Sequence, residues 1–195
     1  MILPILFSAP MVRAILAGRK TQTRRLWRGQ WAKVQPGDRL WVREAWRLAK
    51  INGDHPGHFV TVQYREGYGV LDYRGDWREF YATLIAGEQW SSPSSTGIRW
   101  GRWRPSIHMP RWASRLTLRV TKVRRQRLWD ITHDDCHAEG MEFYAKPNEW
   151  EDAVKVFKRA WEALNARRAP WYLNPEVAAV SFEVIRGNVE GVKHD

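Results

Sequence analysis

The chain has 195 residues, a mass of 23.0 kDa and a formal net charge of +11, with 32 Lys and Arg against 21 Asp and Glu. A hydrophobic fraction of 44% is enough for a packed core and argues against wholesale disorder, while the lone Cys136 excludes an internal disulfide framework and a Cys-cluster zinc site. No apolar run reaches the roughly 18 residues of a membrane helix, so no membrane partner is expected, nor is a disulfide-linked one.

The opening segment, Met1 to Leu16, has an early Pro4 and no basic region ahead of its apolar residues. That is a poor signal peptide, and a cytoplasmic location is expected. Leu3, Ile5, Leu6 and Phe7 read as a short first strand. Ser8 or Pro10 can start a helix, with Met11, Val12, Ile15 and Leu16 on one face and Gly18 as its stop. The basic run Arg19-Lys20-Thr21-Gln22-Thr23-Arg24-Arg25 follows at once, as a loop or strand. Pro36-Gly37-Asp38 signals a turn, and Arg39 to Trp46 alternates like a half-buried strand.

Residues 52–110 read as a long insertion. Within it Phe59 to Tyr64 is a strand, Asn52-Gly53-Asp54 and Gly67 to Gly75 are turns and loops, and Trp77 to Gly87 is a short helix. Ser91 to Gly97 is a linker, and Trp100 to Pro110 is irregular. Arg115 to Val123 is the best strand. Thr132 is a natural N-cap with Asp135 as capping-box partner, for a helix running toward Gly140. Trp150 to Asn165 is an amphipathic helix with Val154, Phe157, Trp161 and Leu164 on its apolar face, and Val177 to Ile185 is a final strand. The last ten residues read as frayed, with 191–195 as a tail. This order makes an α+β fold, a small, partly closed β-barrel with packed helices. Residues 1–190 form one domain in this reading. There is no Gly-x-Gly-x-x-Gly and no Walker P-loop.

The charge sits in two blocks. Residues 1–37 hold seven basic residues and residues 97–127 hold ten, with no acidic residue in either. Two acid-free blocks suggest walls of a phosphate-facing groove, which makes nucleic acid the leading partner class. Trp41 and Trp46 flank Arg43 and Glu44, and Trp100, Trp103 and Trp112 interleave with Arg99, Arg102, Arg104 and Arg111. Such alternation suits single-stranded RNA or flipped bases; most of the 13 Trp residues are structural in this reading, with Trp100 or Trp103 facing a ligand. His108 lies inside the basic Arg104 to Arg111 segment and is a candidate acid or base; His55 and His58 have only Asp54 nearby, and no metal is expected.

Leu16-Ala17-Gly18-Arg19-Lys20-Thr21-Gln22-Thr23-Arg24-Arg25 resembles the opening signature of the ASCH domain, and Pro36 to Glu44 resembles its second stretch. Arg104 to Ala113 and the strand after it resemble the larger phage and prophage members. The resemblance implies a PUA-like barrel with a cleft for RNA, a nucleotide or a modified cytosine base, with DNA an open alternative and no cofactor. Some small ASCH proteins remove the acetyl group from N4-acetylcytidine with a Lys, a Thr three residues later and a distant Glu. By that resemblance those roles fall on Lys20, Thr23 and Glu139. Other members are ribonucleases on single strands. Arg19, Arg24, Arg25, Arg43, Trp100, Arg102, Trp103, Arg104, His108 and Arg111 are the expected nucleic-acid contacts.

Overall fold

The computed structural model describes residues 1–51, 59–72, 98–141 and 152–191. The turn expected at Asn52–Asp54, His55, His58, the helix expected at Trp77 to Gly87 and the linker at Ser91 to Gly97 lie outside those residues. The fold is mixed α+β. Five strands, β1 (Ile2–Leu6), β2 (Gln22–Leu26), β3 (Arg39–Arg43), β8 (Leu116–Arg127) and β9 (Glu176–Arg186), form a sheet of order β1-β3-β8-β9-β2 that curls as a partly closed barrel. Four more, β4 (Trp46–Ile51), β5 (Phe59–Tyr64), β6 (Gly67–Asp72) and β7 (Ile98–Trp100), form an antiparallel sheet of order β6-β5-β4-β7. No helix among the described residues is long and apolar enough to cross a membrane.

The chain divides into two compact units, the first built from residues 1–3, 10–40 and 118–185, the second from 4–9, 41–117 and 186–195. In the first unit, α1 (Ala9–Leu16) buries Val12, Ala14 and Ile15 and ends as expected near Gly18. The amides of Arg19 and Lys20 then both donate to Ala14 O, which turns the chain sharply into β2. Thr132 caps α2 (His133–Ala138) in the expected capping box: its Oγ1 accepts from Asp135 N at 3.1 Å, and Asp135 Oδ2 accepts from Thr132 N at 3.4 Å. The amphipathic helix is α3 (Ala153–Asn165), opened by Asp152, whose carboxylate accepts from Val154 N at 2.8 Å. Its buried residues are Val156, Phe157 and Trp161, which pack with Leu128, Ile131, Cys136, Met141 and Val177. Two expected members of its stripe differ: Val154 is only partly buried, and Leu164 is 65% exposed. Packing ends one turn earlier, where the Trp161 indole donates to Ala169 O at 2.8 Å as the chain turns back.

In the second unit, β5 and β6 form a hairpin closed by Tyr64 opposite Gly67. Gly67 to Gly75 therefore does not read as loop throughout: β6 is a strand, because pairing with β5 overrides the weak strand preference of its two glycines. The stretch from Arg39 to Trp46 is two strands rather than one. The break falls at Glu44, whose buried carboxylate accepts two hydrogen bonds from Arg115 at 2.9 and 3.0 Å. The segment after Trp100 is more ordered than expected, since Arg104 and Trp46 exchange backbone hydrogen bonds at 2.8 and 3.1 Å. Nor does fraying begin ten residues from the end: the Asn188 amide contacts the carbonyls of Arg111, Trp112 and Ser114, and Val189 is buried.

Gly140 ends α2 at φ 75, a conformation side chains rarely adopt. A Cβ there would also sit 3.1 Å from Ala14 Cβ and 3.2 Å from Lys20 Cβ. Gly29 has a similar φ of 55 with nothing within 4 Å of an added Cβ. Urea unfolding is expected to show Gly140→Ala losing about 2 kcal/mol or more and Gly29→Ala about 1; equal losses would mean that the close approach to Lys20 is unimportant.

Candidate functional site

The turn after α1 delivers Lys20 to the end of α2, where Lys20 and Glu139 form an isolated antiparallel bridge and Thr21 N donates to Ala138 O at 2.8 Å. The Lys20 side chain is 1% exposed, and its ammonium has three acceptors: Glu139 Oε2 at 2.7 Å, Gln22 O at 2.8 Å and Glu139 O at 3.0 Å. Alternation along β2 sends Gln22 and Arg24 to the same face. Arg24 donates to Glu139 Oε1 at 3.1 Å and to Asp135 Oδ2 at 2.7 Å, while its guanidinium lies 5.6 Å from the centre of the Phe157 ring. Gln22 donates to Asp135 Oδ1 at 3.1 Å, and Arg124 of β8 reaches both Gln22 Oε1 and Asp135 Oδ1. Three cations thus share two carboxylates in a site largely closed to water.

That burial sets the protonation balance. Desolvation pulls the Lys20 ammonium below its ordinary value, against the attraction of Glu139, with Arg25 and Arg24 adding to the fall. Burial lifts Asp135, but the Gln22 amide, Arg24 and Arg124 outweigh it and hold the carboxyl below its usual range. Burial pushes the neighbouring Cys136 thiol up to about 12.

Thr23 is also buried, on the opposite alternation of β2 from Arg24. Its Oγ1 accepts from Arg25 Nη1 at 2.8 Å. The half-buried Arg25 also lies over the Trp31 ring at 5.7 Å, and desolvation lowers its pKa. Lys20 and Glu139 are therefore brought into direct contact, and Thr23 is engaged by Arg25. Arg24 faces the interior network, and Arg19 is exposed.

The other expected contacts lie in the second unit. Arg47 stacks over Trp100 at 4.4 Å and over Trp103 at 4.7 Å, and Arg65 stacks over Trp103 at 4.1 Å. Arg104 covers the buried Trp46 ring at 4.9 Å. Arg43 stacks on Trp41 at 5.3 Å and donates to Ile107 O. Arg102 and His108 are exposed, and Arg111 lies 3.3 Å from Glu190. Asp135, Gln22, Arg124, Arg47 and Arg65 are additional members of these clusters. Asp135 was legible as a capping residue only; the rest carried no local signal beyond their charge or polarity. Among the described residues no group of three or more His, Cys, Asp or Glu is arranged to hold a metal ion.

No protein-family model matches the chain, and no curated protein matches it. Solved structures similar to it include that of the hypothetical protein PH0355, 12% identical, covering 95% of this chain and 100% of that one with a TM-score of 0.43. Another is protein EF3133 from Enterococcus faecalis V583, described under the family model DUF984, 13% identical, covering 100% of this chain and 88% of that one with a TM-score of 0.40.

Asp135 supplies an acid-sensitive part of stability. Its carboxyl is depressed in the fold, so its contribution is complete above the unfolded value of about 3.9 and is lost as pH falls through the folded one. Asp135→Asn is expected to cost about 3 kcal/mol at pH 7 in denaturant unfolding, by leaving Arg24 and Arg124 under-compensated. That deficit narrows as pH drops below 4; a deficit constant with pH would contradict the assignment.

Proposed function

We propose that this protein is an ASCH-type, PUA-like binder of nucleic acid or nucleotide that takes single-stranded RNA or a modified cytosine base. The observation that carries this reading is the ladder Trp100–Arg47–Trp103–Arg65, in which guanidinium planes and indoles alternate at 4.1 to 4.7 Å. Trp100 and Trp103 are both half-exposed. Unpaired bases stack on such faces, and the guanidinium charge attracts the phosphates that accompany them. A net charge of +11 supports the same reading by favouring anionic partners at long range. Fluorescence anisotropy with a labelled single-stranded RNA is expected to show binding that weakens linearly in log salt. Trp103→Ala should weaken it about tenfold, with circular dichroism melts separating lost binding from lost folding. Salt-independent binding, or none, would overturn the reading.

A second reading is favoured by the Lys20–Glu139 contact: hydrolysis of the acyl group from an N4-acylated cytosine. Thr23 Oγ1 would attack the acyl carbon, with Arg25 donating to that oxygen and so favouring its anionic form. The hydroxyl proton would pass to the Lys20–Glu139 pair once Thr23, which β2 sets on the opposite alternation from Arg24, turns its hydroxyl toward that pair. The cytosine N4 leaves with a proton returned from that pair, and water then cleaves the acyl-threonine ester. Acetate release from N4-acetylcytidine is expected to fall at least about 100-fold in Lys20→Met and in Glu139→Gln. Circular dichroism melts separate lost turnover from lost folding. No acetate from the wild-type chain would remove this reading and leave binding intact.

A further inference from the structure

A second aromatic surface lies within the first unit, apart from the residues assigned above. After β8 a short 3-10 turn, Leu128–Asp130, buries Leu128 and turns Trp129 outward, 53% exposed. That indole is held in place. Its Nε1 donates to Trp171 O at 2.9 Å, and its backbone N–H donates to Asn174 Oδ1 at 2.9 Å. Asn174 adopts the left-handed conformation, at φ 42, which aims its side chain from the end of the turn Trp171–Leu173. The same turn presents Tyr172 at 74% exposure, while Trp171 anchors it by packing edge-on against Phe157 at 6.1 Å. Two aromatic side chains on two hydrogen-bonded segments thus face solvent rather than pack inward, and the Trp129 indole is held there by its own hydrogen bond.

The rim is cationic. Arg127 is two residues before Trp129, and Arg167 and Arg168 precede Pro170. All three are exposed; Arg127 Nη1 donates to Asn174 O at 3.4 Å and helps Arg125 to depress the Glu176 carboxyl, so Arg127 is partly compensated, while no ion pair of Arg167 or Arg168 is present among the described residues. The neighbouring acids are engaged: Asp130 accepts from Arg127 N at 3.0 Å, Glu162 from Trp171 N at 2.6 Å and Glu176 from Arg125 at 2.7 Å. A second copy of the chain brings another +11, so like charge opposes self-association at this surface. We infer that this ledge is a second contact surface for single-stranded nucleic acid, with bases stacking on Trp129 and Tyr172 and phosphates meeting Arg127, Arg167 and Arg168. The inference rests on the proposal that the chain binds single strands.

The test uses the full chain, a labelled 20-nucleotide uridine strand and an abasic strand of equal length. Trp129→Ala and Tyr172→Ala should each weaken binding of the base-bearing strand about tenfold and leave the abasic strand unchanged. The double variant Arg127→Gln/Arg168→Gln should weaken both. Photocrosslinking of wild-type protein to a 4-thiouridine strand should mark peptides within 127–129 or 171–173, which guards against loss of folding in the alanine variants. Unchanged affinity in the alanine variants, with crosslinks only elsewhere, overturns the inference; if Trp103→Ala still weakens binding, the earlier proposal survives. Absence of any binding to the strand removes both. A dimer in sedimentation that Trp129→Ala dissociates also overturns it, by making the occupant a second copy.

Discussion

The ion pair between the Lys20 ammonium and the Glu139 carboxylate, joined across 119 residues, is the constraint on which the first unit depends. Without Glu139, Lys20 would be an uncompensated charge in a site that water barely reaches, and without Lys20, Glu139 would keep only Arg24; breaking such a pair costs several kcal/mol. Its requirements propagate outward. The α1 end must turn within two residues of Ala14, the chain must leave α2 through a glycine, and β2 must present Gln22 and Arg24 toward Asp135. Asp135 in turn holds the first turn of α2, so capping and charge compensation fall on one carboxylate.

Arginine serves two physical roles in this chain, and carboxylate supply separates them. Where α2 brings Asp135 and Glu139 to β2 and β8, guanidinium groups are drawn inward and neutralised. In the second unit Arg115 is paired in the same way with the buried Glu44, while the guanidinium groups of Arg47 and Arg65 lie over indoles instead. A cation on an aromatic face keeps its charge, because the ring offers polarisable electrons rather than a counter-ion. The 32 basic residues of the chain are therefore not a uniform coat: some are paired with carboxylates in the interior, and others lie over aromatic rings.

Local chemistry was legible in the sequence, and long-range pairing was not. The first strand and helix, the Pro36-Gly37-Asp38 turn and the Thr132 cap each depend on residues within a few positions of one another, and each stands close to its expected place. Strand β6 was hidden because Gly67 and Gly69 carry no strand preference of their own and acquire it only opposite β5. The break at Glu44 was hidden because it depends on Arg115, 71 residues away. Leu164 fitted the helical period but lies beyond the last packed turn. The Lys20–Glu139 contact was suggested by resemblance alone; no spacing rule relates residues so far apart. Arg24 looked like a surface cation until Asp135 and Glu139 were placed beside it.

Cys136 sits between these themes. Its thiol is sealed among Leu128, Ile131, Phe157 and Trp161, one position after the carboxylate that anchors β2 and β8. Burial keeps it protonated, and a protonated, covered thiol does not react with alkylating reagents. The chain thus contains its own stopwatch. The rate at which that single thiol becomes reactive measures how often the packing between α2 and α3 opens.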